Sequence, residues 1–566
     1  MPKLSERSLR AILSAAILVL PVFLLVPTFI FLNNPHEASL EYGNLLLIAA
    51  VLTLAAVAMV APICHLARGF VASGLGIAIA AKLYFLPSFV PILDGDEVFA
   101  KFKSFQGIWS AVTLVVLIIA GLCVARRLST TALAFIAGAF VIMGLQPLLA
   151  AKNWTFDWPS LGTSYEPEST EAKLLEFSRD GDVLVILLDT VQTDVFAEIL
   201  EENPEYRASL TGFTYFWNTI GSAPTTLMSM VAIYSGTPYQ GGSVSARYAD
   251  LRNASIYSDF EKSGYETILA GASIYDCPAM SCTVPTKLNL VGELEADLSG
   301  YLEFLEPGLM RVLPTFAHTA WYNRGDGRLR AFLPNVPINR AQQHLRMLDV
   351  MASDLSISDH PARFKMLHLL GTHHPINLDA NCIATKNPKG KPRAAYKDQV
   401  VCNLKSVANL IEALKRAGIY DRTTIVLIAD HGNNSGEPAK ALEPFLGSVP
   451  PLWGRRARFD PLLAIKLPGD NQPFRLSAAP AQISDLRATL CAEVLKCEYE
   501  VAGENVFRLA EDAPRKRCFM DFYLWQIDHR ILDGMPEEAY QVFCTYDLLS
   551  NADYDPSGIP PRTKFR

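Results

Sequence analysis

Four residues spread along this chain have types that work together in chemistry: Asp189, Thr226, Asp430 and His431. They supply a carboxylate, a hydroxyl and a carboxylate–imidazole pair, a donor set that suits tetrahedral zinc. A threonine alone is a poor nucleophile at neutral pH. A metal that lowers the pKa of its hydroxyl makes it an alkoxide able to attack phosphorus. The hydroxyl lies in TIGSAPTTLMSMVAIYSGT, residues 219–237. Pro224 and the Thr225–Thr226 pair are helix-starting residues and Gly236 suits a C-cap, so the spacing predicts a short buried helix over Leu227–Tyr234. Its first turn would present free N–H groups and partial positive charge to a phosphate ester. A threonine there is also an ordinary N-cap, and the acids and imidazoles elsewhere are what favour the chemical reading.

Those acids need elements to carry them. DVLVILLD, Asp182–Asp189, is a nearly continuous apolar run ending in an acid, the pattern of a central parallel strand covered on both faces. TTIVLIADHG, Thr423–Gly432, repeats it. Acids at the carboxyl ends of such strands stand where open α/β sheets place their sites, although an Asp after a strand is as often a turn or helix cap. Further strands are expected at Phe213–Asn218, Tyr265–Ala270, Phe364–Leu370 and Pro461–Leu467. Helices are expected at Val195–Leu200, Arg340–Met351, Asp398–Ala417 and Ile483–Leu495. The alternation predicts a layered α/β domain. The polar stretch Asn377–Ala395 reads as a surface loop, and the aromatic segment Arg515–Phe543 as a smaller terminal layer.

Composition places a second kind of structure before this domain. The chain is 50% hydrophobic and only 19% charged, and the apolar excess falls before residue 150, which points to a membrane section. Five stretches fit spanning helices, at about Ile12–Leu32, Leu45–Ile63, Phe70–Leu86, Trp109–Val124 and Ala132–Leu149. Arg7, Arg10, Arg68, Arg126 and Arg127 set the amino terminus inside, and five crossings then put everything after residue 150 outside the cytoplasm. Lys82 interrupts the third stretch, and snorkelling to the interface accounts for it better than contact with a lipid phosphate. A net charge of −7 without a basic stripe gives no sign of nucleic-acid binding. The outer cysteines form an even set, as in an oxidising compartment such as a periplasm. Cys277–Cys282, Cys382–Cys402, Cys491–Cys497 and Cys518–Cys544 are neighbours able to bridge, with the connectivity left open.

On VLVILLDT at Val183–Thr190, PTTLMSMVAIYSG at Pro224–Gly236, HLLGTHHP at His368–Pro375 and LIADHG at Leu427–Gly432, the chain resembles the alkaline phosphatase and sulfatase superfamily. The likeness is to its membrane-anchored phosphoethanolamine and phosphoglycerol transferases. The resemblance implies a five-helix membrane domain over 1–150, a linker over 151–180, an alkaline phosphatase-like α/β/α sandwich over 181–505, and a C-terminal extension over 506–566 packed on it. It makes Asp189, Thr226, Asp430 and His431 the metal ligands and Thr226 the nucleophile, with Thr225 as alternate should the helix start one residue earlier. It also brings His368 and His373 to the transferred head group, to hold phosphate or move a proton to the leaving lipid. A lone histidine beside a strand is otherwise a structural hydrogen-bonding residue.

The implied metal is zinc, with manganese or magnesium as alternatives. The implied donor is a phospholipid, the acceptor an envelope glycan or glycolipid, and the place a bacterial inner membrane with the catalytic domain in the periplasm. Hydrolysis by a phosphodiesterase or phosphatase uses the same residues with water as acceptor, and a non-catalytic lipid-binding regulator of envelope assembly is the third reading. Two departures from the family pattern stand out. The sulfatase branch oxidises a Cys or Ser to formylglycine, usually before Pro-x-Arg, whereas Leu227 and Met228 follow Thr226 here. A further site histidine common after the DHG motif is missing between His431 and His529, leaving Arg455, Arg456 and Arg458 nearby. His374 is an extra imidazole where relatives often carry Gly.

Overall fold

The computed structural model describes residues 5–33, 42–66, 69–85, 104–145, 172–271, 293–314, 322–323, 326–327, 329, 340–383, 392–433, 454–522 and 540–546, except 240, 252, 374, 375 and 377. The chain divides into two compact units. The first is Met1–Tyr165 with Val291–Ile338, and the second is Glu166–Leu290 with Asn339–Arg566.

The first unit is helical. α1 (Glu6–Leu20) runs through a π turn at Pro21–Leu25 into α2 (Val26–Asn33), and α3 (Tyr42–Leu66), α4 (Phe70–Phe85), α5 (Ser104–Ala125) and α6 (Thr130–Gly144) follow. Pro21 has no N–H to continue the α ladder, which is a physical reason for the widened turn there. The described residues of each apolar stretch singled out in the sequence fall on helix up to Phe85 and Gly144; Leu86 and residues 146–149 lie outside the described residues. Among the described residues two helices, Glu6–Phe31 and Tyr42–Leu66, are long and apolar enough to cross a membrane; Phe70–Tyr84, Trp109–Ala125 and Thr130–Gly144 are shorter apolar helices. Lys82 is only 5% exposed, so within this unit it is packed against protein and not presented at the surface.

The sequence reading ran one catalytic domain from 181 to 505, but Val291–Ile338 belongs with the first unit. The reason is the helix Glu293–Val312, whose Tyr301, Leu302, Phe304 and Leu305 are buried in one cluster with Leu25, Ile30 and Leu45. An amphipathic helix goes where its apolar stripe is covered.

The second unit is built on a seven-stranded sheet: β1 (Val183–Leu188), β2 (Phe213–Phe216), β3 (Glu266–Gly271), β4 (Arg363–Leu369), β5 (Thr424–Ile428), β6 (Leu463–Lys466) and β7 (Arg475–Ser477), in the order β7-β2-β6-β5-β1-β4-β3. The run β5-β1-β4-β3 is parallel, and β6 is antiparallel to both neighbours. All six residues of β1 are buried. Leu184, Ile186 and Leu188 share one core cluster with Leu410 and Leu414, while Val185 and Leu187 share the opposite one with Met230 and Ile233. Helices thus cover both faces: α7 (Thr226–Ser235) on one and α8 (Pro392–Arg416) on the other. This double cover is why the strand reads as continuous apolar sequence.

α7 stops where expected. Gly236 is left-handed at φ 79°, and a Cβ there would run into the Ala502 carbonyl. α8 starts earlier than the sequence suggested, so the stretch read as loop up to Ala395 is already helix from Pro392. Arg393 pairs with Asp194 at 3.2 Å and with Glu198 at 2.9 Å, and Lys397 with Glu198 at 2.7 Å. Those pairs hold the first turn of the helix. Bridges join Cys382–Cys402, Cys491–Cys497 and Cys518–Cys544, the last across the antiparallel pair Arg517–Phe522 and Tyr540–Thr545. Cys277 and Cys282 lie outside the described residues.

Candidate metal centre

Parallel pairing of β5, β1 and β4 brings the carboxyl ends of three strands into line: Ile428 pairs with Leu187, and Leu187 with His368. Asp189 follows β1, Asp430 and His431 follow β5, and His368 sits near the end of β4. All four are at most 3% exposed. Ligand-type atoms of Asp189, Asp430 and His431 lie within 4.8 Å of one another.

The oxygens divide their work. Asp189 Oδ2 accepts from Thr226 Oγ1 at 3.2 Å and stands 3.2 Å from His368 Nε2. Asp189 Oδ1 is buried and has no hydrogen-bond donor among the described residues. Asp430 Oδ1 accepts the Thr190 N–H at 3.1 Å, whereas its buried Oδ2 again has no donor, only His431 Nε2 at 3.4 Å. His431 Nδ1 lies 2.9 Å from the Gly432 carbonyl. That contact assigns the proton to Nδ1 and leaves the Nε2 lone pair for a cation. Buried carboxylate oxygens without donors are costly, and two beside a free imidazole nitrogen are what a bound divalent ion would satisfy. The donor set therefore fits a metal.

Electrostatics keep the site ready. Burial works to raise the Asp189 carboxyl, but the neighbouring imidazoles His373, His368 and His431 outweigh it and hold the group well below the usual carboxylate range. Asp189 therefore stays ionised at neutral pH.

The helix start resolves into distinct positions. Thr225 is the N-cap of α7 by backbone, at φ −134° and ψ 146°, yet its side chain makes no capping bond and its Oγ1 is buried without a partner. Thr226 is the first helical residue and is the one whose hydroxyl reaches Asp189. His373 is half-buried in the turn after β4 and its charge is felt at Asp189. His374 lies outside the described residues, as do the side chains of Arg455 and Arg456. The Arg458 carbonyl accepts the Gly432 N–H at 2.8 Å, so that residue positions the DHG turn through its backbone.

Sequence reading missed the supports. Thr190 adopts φ 67°, a left-handed conformation that costs a threonine about 1–2 kcal/mol. It is held there by three bonds: its N–H to Asp430, its Oγ1 to the Thr372 carbonyl at 3.1 Å, and its own carbonyl receiving Tyr396 Oη at 2.6 Å. Thr372 Oγ1 donates to the Asp189 carbonyl. Gln399 Nε2 donates to the His373 carbonyl at 2.9 Å, and Asn403 Nδ2 to the Gly371 carbonyl at 2.8 Å. A Cβ at Gly371 would collide with Asn403 Oδ1. The available signal was a set of polar residues, Tyr396, Gln399 and Asn403, on the buried stripe of an otherwise apolar helix face.

Residues 330–484 match the sulfatase family model. That segment contains β4, Asp430 and His431. Among solved structures the chain is similar to the phosphonate monoester hydrolase SpPMH from Silicibacter pomeroyi, with 17% identity over 64% of this chain and 85% of that chain and a TM-score of 0.39. It is also similar to the lipoteichoic acid synthase LtaP from Listeria monocytogenes, with 12% identity, 64% and 80% coverage and a TM-score of 0.37. The phosphonate monoester hydrolase of Agrobacterium radiobacter gives 12% identity, 65% and 89% coverage and a TM-score of 0.40. No curated protein matches in sequence. The second unit thus carries a sulfatase-like α/β domain with an Asp/His cluster able to hold a divalent ion.

Proposed function

We propose that this chain is a membrane-anchored transferase that moves a phospho-head-group, phosphoethanolamine or phosphoglycerol, from a phospholipid to an envelope glycan or glycolipid. The observation that carries the reading is the convergence of the Thr226 hydroxyl on Asp189, beside two carboxylate oxygens and an imidazole nitrogen left open for a cation. Asp189, Thr226, Asp430 and His431 would hold the metal, zinc in preference to manganese or magnesium. When bound, it supplies Lewis acidity that lowers the pKa of the hydroxyl and neutralises charge on the phosphoryl oxygens.

The chain's own residues do the rest. Asp189 Oδ2 aims the Thr226 hydroxyl, and His368, with Nε2 protonated, fixes that carboxylate in turn. Thr226 Oγ1, its proton released to solvent, attacks phosphorus: the new bond joins threonine oxygen to phosphorus, the bond from phosphorus to the diacylglycerol oxygen breaks, and His373 gives that oxygen its proton and regains one from the acceptor hydroxyl in the second step. The first-turn N–H groups of α7 face the developing negative charge. A hydroxyl of the acceptor then repeats the displacement and restores Thr226. Five helices crossing a bacterial inner membrane would keep this periplasmic site close to its lipid donor and raise its effective concentration.

The test is peptide mass spectrometry after incubating the metal-loaded protein with mixed bacterial phospholipids. A phosphoethanolamine or phosphoglycerol increment on Thr226, present in Thr225→Ala and absent in Thr226→Ala, is the expected result, followed by its loss on adding glycan. Metal-loaded protein that cleaves phospholipid with no covalent increment would contradict the two-step transfer and favour hydrolysis by water.

A further inference from the structure

Tyr42, Tyr84 and Tyr301 all belong to the first unit, and their hydroxyls are treated differently. Tyr42 Oη donates to the Gly144 carbonyl and Tyr301 Oη to the Phe23 carbonyl. Tyr84 Oη, near the end of α4, is buried with no partner among the described residues, a state that costs about 1–3 kcal/mol. The Tyr84 ring stands edge-on to Phe29, with centroids 5.3 Å apart. The same Phe29 ring carries the Arg311 guanidinium 5.0 Å from its centroid. Arg311 is half-buried, and among the described residues it has neither a carboxylate partner nor a hydrogen bond.

A phenyl ring attracts a cation but takes up none of its five N–H donors in the way an oxyanion does. Two residues that carry donor groups therefore flank one ring, and among the described residues neither group has an acceptor. The ligand that fits is an oxyanion with several oxygens, and a phosphate accepts a guanidinium in bidentate fashion. The contact between Phe29 and Tyr84 also puts the ends of α2 and α4 at one level, which in the five-crossing topology is the outer end of the helices. Lys82 lies about 200° round α4 from Tyr84 at 100° per residue, so it faces elsewhere.

We propose that Arg311, Phe29 and Tyr84 form a binding site for the phosphate of a phospholipid head group at the outer end of the membrane unit. Arg311 comes from the helix Glu293–Val312, which gives that inserted segment a ligand-binding role in addition to packing. The inference rests on the transferase reading only in its choice of a phospholipid over other phosphates.

The experiment is native mass spectrometry on full-length Thr226→Ala protein in detergent, so that binding is read without chemistry. It is offered phosphatidylethanolamine, phosphatidylglycerol, diacylglycerol or inorganic phosphate. Both phospholipids should be retained and diacylglycerol should not. Arg311→Leu should weaken retention at least tenfold, and the isosteric Tyr84→Phe, which keeps the packing, about fivefold. Undiminished retention in Tyr84→Phe together with a folded Arg311→Leu would overturn the site, as would equal retention of diacylglycerol. Inorganic phosphate binding as tightly as phospholipid would overturn the lipid assignment. Failure of Thr226 to form an adduct while these binding differences hold would count against the transfer chemistry alone.

Discussion

At the amino end of β1 and β4, Asp182 and Lys365 form a buried ion pair at 3.1 Å, and their remaining groups are nearly all used. The Arg363 N–H donates to Asp182 Oδ1 at 2.9 Å, and Lys365 Nζ donates to the Glu176 and Leu174 carbonyls and sits 3.5 Å over the Phe177 ring. At the carboxyl end of the same strands, Asp189 and Asp430 are as deeply buried; Asp182 Oδ2 makes no hydrogen bond either but has the Lys365 ammonium 3.1 Å away, whereas Asp189 Oδ1 has no donor among the described residues and Asp430 Oδ2 has only the His431 ring, at 3.4 Å. The sheet, the depth and the residue types are alike at both ends. What differs is closure: the amino end compensates its charges internally, as a structural pair must, and the carboxyl end leaves its charges for something from outside. A buried carboxylate oxygen with no ammonium or guanidinium beside it, on a sheet that pairs its other buried acid with a lysine, is therefore evidence of function.

The two ends of the sheet differ most in what they do at Thr226. Thr226→Ala should lower head-group transfer at least about 1,000-fold, with thermal melting nearly unchanged, since the hydroxyl adds one bond to a half-buried site; a transfer assay alongside calorimetry reads both. Next come the paired aspartates. Asp182→Asn should destabilise the fold by about 3–5 kcal/mol in denaturant unfolding, because it strands Lys365, and should leave metal affinity intact. Asp430→Asn should do the reverse, weakening metal binding more than about 100-fold while the metal-free protein keeps its stability. If both substitutions had the same profile, the two ends would not differ in kind. The double variant Asp182→Asn/Lys365→Met should recover most of the lost stability, since an apolar replacement of a buried pair is close to neutral.

The smallest effect is one of pH. Burial pushes Lys365 down to about 8 from its ordinary 10.5, with Asp182 opposing the shift. Between those values the unfolded chain holds the proton that the folded chain has lost, so stability rises with pH across that window. Measured against the double variant, which cannot titrate there, the wild type should gain about 1–3 kcal/mol from pH 8 to 10.5. A flat difference would mean that Lys365 is fully compensated.

Much of this was legible beforehand. β1 and β5 announce themselves as unbroken apolar runs because helices cover both faces, and the acids that end them mark the carboxyl edge. The helix after Thr226 was readable from its Pro and Gly boundaries. The choice between Thr225 and Thr226 was not, because both are good starting residues, and only the backbone shows one as cap and the other reaching Asp189. Lys365 sits inside RFKMLHL, where nothing in sequence connects it with Asp182 on the neighbouring strand. Thr190 was equally hidden, since its left-handed backbone is imposed by partners as distant as Tyr396. The helix Glu293–Val312 had no element assigned to it and fell within the 181–505 domain by its place in the chain, because nothing in sequence shows what covers its apolar face.

Asp189, Asp430 and His431 are left open for a divalent ion, and calorimetric titration of the metal-stripped full-length protein with zinc reads this at equilibrium. One tight equivalent is expected in the wild type, with a binding loss of more than about 100-fold in Asp430→Asn and wild-type binding in the folded Asp182→Asn protein. Zinc binding that survives Asp430→Asn undiminished, or a stripped wild type that takes up none, would contradict it.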